Sequence, residues 1–418
     1  MGRAGRAVLV AWLVTATYYF YQYFLRSAPA VMIPQLASGF GIGAGAVASM
    51  VGLFYYGYSP FSLVAGLAMD RLGPRLTVPV GAALVGAGAL LFASGNAPLA
   101  SAGRFLQGAG GVFALVGAAY IATTNFPPSR AATLIGATQM FGMAGGSAGQ
   151  FAVGPLISRG MPWATLWVGL GVAGLVIGVL LFVLIPGREP RAQSPDWARE
   201  ALSGLGLVFR NPQSILCGVI SGLMFIPTTI FGMVWGVRFL QEAHGVDYAD
   251  AVMRSASVPF GWIIGCPLLG YVSDRIGRRK PVIIGSCAAL LACLAWILYG
   301  QPGVVPPYVS GLVTGLASGA AMIPYTVIKE ANPANVSGTS TGVVNFINFT
   351  FSAVLGPVFA GALLKAAEGA EAPGLVHYQS AFGPMLIGVV LAIVLAFALK
   401  ETGSAAAKPV AVAVPAER

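Results

Sequence analysis

The sequence predicts an all-α integral membrane protein, with twelve transmembrane helices arranged as two pseudo-symmetric six-helix halves. Three observations lead there. Hydrophobic residues make up 57% of the 418 and charged residues only 9%. A soluble domain carries about 25% charge, and no soluble fold of this length hides so much apolar surface, so lipid must solvate it. Second, the chain contains twelve apolar segments, each near the ~20 residues an α-helix needs to cross hydrocarbon. Third, a charged motif occurs twice. Gly66 to Arg75 reads Gly-Leu-Ala-Met-Asp-Arg-Leu-Gly-Pro-Arg, and Gly270 to Arg279 reads Gly-Tyr-Val-Ser-Asp-Arg-Ile-Gly-Arg-Arg. Glycine, Asp-Arg, glycine and arginine share their offsets, about half the chain apart, which marks two homologous membrane halves.

In order, the first half (1–186) carries spans 7–33, 44–68, 76–95, 99–122, 131–157 and 163–186. Backbone groups in lipid must bond within their own segment, so each span is helical. The connector 187–213 is the longest between spans and holds Arg188, Glu189, Pro190, Arg191, Pro195, Asp196, Arg199 and Glu200. It reads as a cytoplasmic linker with a short helix at the membrane interface. The second half (214–402) carries 214–240, 250–270, 281–300, 305–328, 339–364 and 379–399, with glycine and proline interrupting the last four. Gly154-Pro155 closes span five and Gly356-Pro357 falls in span eleven, at nearly the offset of the charged motifs. The Ala/Val/Pro-rich tail 403–418 is expected to be disordered.

Lysine and arginine set the orientation. The inner connectors collect most of the 23, from Arg3 and Arg6 through Lys329 to Arg418, while the outer ones keep Arg159, Arg238 and Lys365. This asymmetry places both termini in the cytoplasm of a multi-pass inner-membrane protein. The first apolar run lacks a cleavage site and reads as a retained span. The net charge of +10 is spread over connectors, so it does not point to nucleic acid. Cys217, Cys266, Cys287 and Cys293 fall in apolar segments as packing residues. His244 and His377 are isolated, and no metal-ligand spacing, nucleophile triad or phosphate-binding Gly-Lys-Ser/Thr loop is present. The chain is therefore read as a non-enzyme without cofactor or metal.

The doubled motif matches the signature between spans two and three, and between spans eight and nine, of the major facilitator superfamily of secondary transporters. Arg104-Phe-Leu-Gln-Gly-Ala-Gly-Gly111 in span four is similar to that superfamily's arginine-glycine motif. The resemblance covers nearly the whole chain and implies the major facilitator fold. Tyr18-Tyr19-Phe-Tyr-Gln-Tyr-Phe-Leu-Arg26 resembles the organophosphate/phosphate antiporters and related organic-anion symporters, which use a span-one arginine to bind the substrate's anionic group. By that resemblance Arg26 is an anion-binding residue. The antiporters' second arginine, in span seven, is replaced here by Thr228 or Thr229, which argues against phosphate esters. Some resemblance extends to a branch with lysosomal dipeptide transporters.

The residues themselves divide into three groups. In the hinges, Gly66, Asp70, Arg71, Gly73 and Arg75, with Gly270, Asp274, Arg275, Gly277 and Arg278, are expected to gate the inner mouth. The glycines permit close helix packing, and the aspartates accept from a neighbouring helix N-terminus or pair with arginine. The plainer alternative is a charged loop that only sets topology. Three arginines lie inside spans: Arg26, Arg104 and Arg254. A buried arginine costs several kcal/mol, roughly, unless paired or facing water, and none of the 13 acids lies mid-span. The cationic bundle favours an anionic substrate over a cationic drug. Arg26 shares a helix face with Tyr19, Gln22 and Tyr23, although an arginine snorkelling to the outer interface competes with that reading. Arg104 is assigned to helix packing or proton coupling, and Arg254 to pairing with Asp250 one turn earlier. Tyr55 and Tyr58, Gln139, Thr229, Tyr325, Asn345 and Asn348 complete the substrate-site candidates, each with an interhelical bond as the alternative. Gly142, Gly145, Gly146 and Gly149 form a smooth ridge in span five.

Together these features predict a monomeric secondary transporter that moves a small organic anion of carboxylate type by alternating access. Lipid and the substrate are the expected partners, with coupling to protons or to anion exchange. Export of drugs or siderophores, dipeptide transport, and a non-transporting membrane sensor are the alternatives.

Overall fold

The computed structural model describes residues 3–187, 197–300 and 305–405. Most of the charged linker residues, 188–196, and the tail residues 406–418 lie outside the described residues. The described residues form helices and no strand. Twelve helical passages match the twelve apolar segments. Those of the first half are α1 (Arg3–Ser27), α2 (Ala44–Leu72), α3 (Pro74–Phe92), α4 (Ala97–Asn125), α5 (Ala131–Phe151, extended by Val153–Ser158) and α6 (Trp163–Leu184). Those of the second are α7 (Pro212–Ile226), α8 (Tyr248–Ile276), α9 (Lys280–Tyr299), α10 (Pro307–Ser318), α11 (Ser337–Ala366) and α12 (Pro384–Ala398). Ten are long and apolar enough to cross a membrane by composition; α2 and α5, rich in glycine and small polar residues, are the other two.

Several passages are not uniform. α7 continues through a π-helical stretch, Pro227–Trp235, into Gly236–His244. Pro227 removes one backbone donor there, and the ladder widens around it. α10 passes through a 3-10 turn, Gly319–Met322, into Ile323–Glu330, and a short helix, Leu375–Phe382, precedes α12. Pro357, by contrast, does not break α11. The amphipathic helix Trp197–Arg210 occupies the end of the linker segment.

Glycine determines how closely the helices approach. Cβ atoms added at Gly81 and Gly110 would lie 2.9 and 2.4 Å from each other's carbonyl oxygens, and at Gly88 and Gly103 2.5 and 2.4 Å. These two pairs, seven residues apart on each helix, let α3 and α4 cross backbone to backbone, where lipid supplies no hydrophobic drive and van der Waals contact must hold the pair. Gly145 and Gly149 pack in the same way on the Phe20 and Phe24 carbonyls of α1, and Gly142 on the Tyr19 ring. Burial follows position. The best apolar window of α4 is 89% buried against 28% for α6, so α4 is central and α6 faces lipid.

Candidate functional site

Two regions hold the polar side chains of the bundle: a cluster between the halves in its middle, and the hinge end.

The middle cluster begins with Arg26, in the last turn of α1. Its guanidinium points between the halves, over the rings of Tyr23 (4.7 Å), Tyr55 (4.8 Å) and Phe54 (5.7 Å), and over Phe349 of α11 at 5.4 Å. Nη2 and Nε donate to the Tyr55 hydroxyl at 2.8 and 3.2 Å, while buried Nη1 has no partner. Aromatic faces stabilise the charge through their quadrupoles, but among the described residues no acid pairs with it. Two helical turns away, Tyr19 donates to Gln139 Oε1 (2.9 Å), and its hydroxyl lies 3.3 Å from that of Tyr23. The α1 tyrosines are thereby tied to α5. Gln22, fully buried against Gly111 and Phe54, leaves both amide atoms unbonded.

The second half contributes Tyr325, Asn345 and Asn348. Tyr325 donates to Asn345 Oδ1 at 2.9 Å and accepts from Asn348 Nδ2 at 3.1 Å. Asn345 Nδ2 crosses to Ser62 Oγ of α2 at 2.8 Å. Tyr58 links the two sets, its ring stacked on Phe54 and edge-on to Phe349 at 4.6 Å. Its hydroxyl and Asn348 Oδ1 are buried without partners. Thr229 does not join; its hydroxyl donates back to the Phe225 carbonyl at 2.8 Å within the π-helical passage.

The other intra-span arginines are occupied elsewhere. Arg104 is buried, with Nη1 donating to Gln107 Oε1 (2.6 Å) and the Leu25 carbonyl (3.2 Å) and Nη2 to the Val51 carbonyl (3.4 Å). It joins α1, α2 and α4, with its guanidinium also over the Phe54 ring at 5.4 Å and its Nε buried without a partner. Arg254 forms an ion pair with Asp250, which also accepts from the Tyr308 hydroxyl at 2.8 Å.

At the hinge end, both aspartates cap a helix of the opposite half. Asp70, at the end of α2, accepts from the Gly338 N–H (2.6 Å), the Thr339 N–H (2.7 Å) and the Thr339 hydroxyl (2.7 Å), at the start of α11. Asp274, at the end of α8, accepts from the Thr133 N–H (2.8 Å) and hydroxyl (2.7 Å), at the start of α5. A carboxylate on unsatisfied first-turn N–H groups also meets the positive end of the helix dipole. The hinge glycines make these contacts possible. A Cβ at Gly66 would sit 2.6 Å from the Gly338 carbonyl oxygen, and one at Gly270 2.5 Å from that of Ala132. Gly73 and Gly277 have φ of 72° and 65°, the left-handed region where a side chain is strained.

The two caps are not equivalent. Asp274 Oδ1 also receives Arg279 Nη1 at 2.6 Å, and Arg279 Nη2 donates to Glu330 Oε1 at 2.7 Å. Thr402 donates to Glu330 Oε2 at 2.6 Å, and Glu401 caps the Arg279 N–H at 2.6 Å. Burial disfavours the Arg279 charge, but Glu330 and Asp274 outweigh it and hold the guanidinium pKa above its ordinary value. The corresponding Arg75 instead lies over the Phe182 ring at 5.3 Å. Arg279 and Glu330 were absent from the sequence-based candidates, as were Thr133 and Thr339. The signals available were the shared offset of Arg75 and Arg279, and a threonine six residues after a proline (Pro127, Pro333) before spans five and eleven.

Comparisons with known proteins agree with this architecture. A hexuronate transporter of Bacillus subtilis (strain 168) is 26% identical over 361 residues, covering 81% of this chain and 84% of its own. The enterobactin exporter EntS of Salmonella paratyphi A is 24% identical over 249 residues, 57% of this chain and 55% of its own. Among solved structures, the proton:xylose symporter XylE bound to 6-bromo-6-deoxy-D-glucose superposes with a TM-score of 0.74 at 15% identity, over 96% of this chain and 97% of that one. FucP in the outward conformation gives 0.71 at 15% identity, over 94% and 99%. The family model described as Major Facilitator Superfamily matches residues 15–357, and the chain belongs to that superfamily of membrane transporters.

Proposed function

We propose that this secondary transporter moves a small organic anion of carboxylate type, a sugar acid such as a hexuronate, with Arg26 holding the carboxylate. One observation carries the reading: a guanidinium between the halves with a buried, unpaired Nη1 and, among the described residues, no carboxylate against it. A bound anion supplies the missing charge and, with two oxygens, fits the planar fork of arginine. The unbonded atoms of Gln22, Tyr58 and Asn348 offer neutral hydrogen bonds of the kind a polyol needs. The hexuronate transporter relative supports this substrate class.

Alternating access follows from the caps. With Asp70 on α11 and Asp274 on α5, the halves are joined at the hinge end; breaking those bonds lets them rock the other way. Substrate binding changes the relative stability of the two states only through contacts that differ between them. Phe349 of α11, whose ring lies 5.4 Å from the Arg26 guanidinium of α1, is such a contact. Among the described residues no carboxylate faces the middle cluster, so coupling by anion exchange, or by a proton carried on the substrate, suits the site best. We place the hinge end in the cytoplasm of the inner membrane, following the lysine and arginine distribution.

The test is uptake into proteoliposomes from a panel of hexuronates, other carboxylates, phosphate esters, dipeptides and cationic dyes, with and without a pH gradient. Saturable uptake of sugar acids supports the reading. Uptake of cationic dyes alone, or outward movement of a siderophore alone, contradicts it.

A further inference from the structure

At the hinge end, between the halves, lies a cavity of about 450 Å³, lined by Asp70, Tyr120, Thr123, Thr326, Lys329 and Ser337 among others. Its most unusual member is Lys329, 9% exposed. An ammonium has three donors, and the hydrogen bond that Nζ makes goes to the neutral Thr123 hydroxyl of α4 at 3.1 Å. Among the described residues Lys329 forms no ion pair. One turn earlier the Thr326 hydroxyl is fully buried without a partner.

The carboxylates nearby are already satisfied. Asp70 spends both oxygens on Gly338 and Thr339, within electrostatic reach of Lys329. Glu330 spends its oxygens on Arg279 and Thr402. What remains unfilled is a cation with spare donors beside an idle hydroxyl. Lys329 also touches the gate. Thr123, its partner, lies 3.3 Å from the Ser337 hydroxyl, at the head of the helix that Asp70 caps.

We propose that Lys329, with Thr123 and Thr326, forms an inner anion site that takes the carboxylate after it leaves Arg26. This rests on the function proposed above. The arriving carboxylate displaces Thr123 from Lys329 and loosens one of the bonds that hold the halves together at the hinge end, so release and opening are linked. Arg26 and Lys329 are the two anion contacts of one path, on either side of the closed gate.

The experiment measures half-saturation from each face separately, with labelled glucuronate, in right-side-out and everted membrane vesicles carrying the full chain. We expect Lys329→Gln to raise the half-saturation from the hinge face by about tenfold or more, as loss of a charge-assisted bond does, and to move it less than twofold from the other face. Lys329→Arg should restore most of the loss, and Thr326→Val should raise the hinge-face value a few-fold. An unchanged hinge-face value in Lys329→Gln, or equal changes on both faces, overturns the inner site alone. If Lys329→Gln fails to reach the membrane, an unchanged hinge-face value in Thr326→Val overturns it. Absence of wild-type transport for every sugar acid overturns the proposed function and this site with it.

Discussion

Asp70 and Thr339 are joined twice across the two halves: the N–H and the hydroxyl of Thr339 both donate to Asp70 Oδ2 at 2.7 Å. Asp274 and Thr133 repeat the arrangement with the roles of the halves exchanged. Hydrogen bonds to a charged group contribute about 1.5–3 kcal/mol each. Asp70→Ala is therefore expected to open the hinge end for more of the time. In a background with the four native cysteines replaced, a cysteine at the buried Ser340 should react with maleimide at least about tenfold faster in Asp70→Ala, the factor that corresponds to ~1.4 kcal/mol. An unchanged labelling rate would mean that the cap does not hold the gate.

The hinge glycines provide a steric version of the same test. Gly66→Val and Gly270→Val drive a side chain into backbone of the facing helix, where nothing flexible can yield. Each half can still fold, but the closed hinge end cannot form. Both variants should reach the membrane and lose at least ~90% of transport, since overpacking costs roughly 1–3 kcal/mol. Gly52→Val, with no atom within 4 Å of the added Cβ, should stay near wild type. Comparable transport by all three variants would contradict the packing reading.

Arg279 lies between Asp274 and Glu330 in a nearly dry network. Arg279→Gln leaves two carboxylates unpaired, and breaking a buried pair in this way costs about 3–5 kcal/mol. The melting temperature of the purified protein should fall clearly. Arg279→Gln combined with Glu330→Gln should recover part of the loss, because one of the stranded charges is gone. A double variant less stable than the single one would show that the triad is not held by charge pairing.

Arg104 tests the difference between packing and binding. Its fork reaches Leu25, Val51 and Gln107 on three helices, a geometry that lysine does not reproduce. Arg104→Lys should lower thermal stability while the KM for the transported acid stays within about twofold of wild type, since both terminal nitrogens of the fork are spent on protein acceptors. A large rise in KM without loss of stability would assign Arg104 to the site.

Much of this was legible in the chain because it repeats. The doubled hinge marked the halves, the missing mid-span acids singled out Arg26, and helical spacing grouped it with Tyr23. Partners across the halves were not legible. Thr339 and Thr133 are ordinary first-turn threonines until the fold sets them against Asp70 and Asp274. Lys329 looked like one more topology-setting cation at the end of a span, because burial is a property of how that helix packs between its neighbours and not of local sequence. Thr229, placed by alignment with the position of an absent arginine, turned its hydroxyl to its own helix, as threonine does when a carbonyl one turn back is free.

The role of Arg26 is tested most directly by glucuronate uptake into proteoliposomes containing wild type, Arg26→Lys or Arg26→Gln, each checked for a wild-type melting temperature. We expect Arg26→Gln to lose at least about 100-fold in kcat/KM, which is ~2.7 kcal/mol at 1.36 kcal/mol per tenfold, and Arg26→Lys to retain a weak part of it. Saturable uptake by Arg26→Gln within threefold of wild type would contradict the assignment.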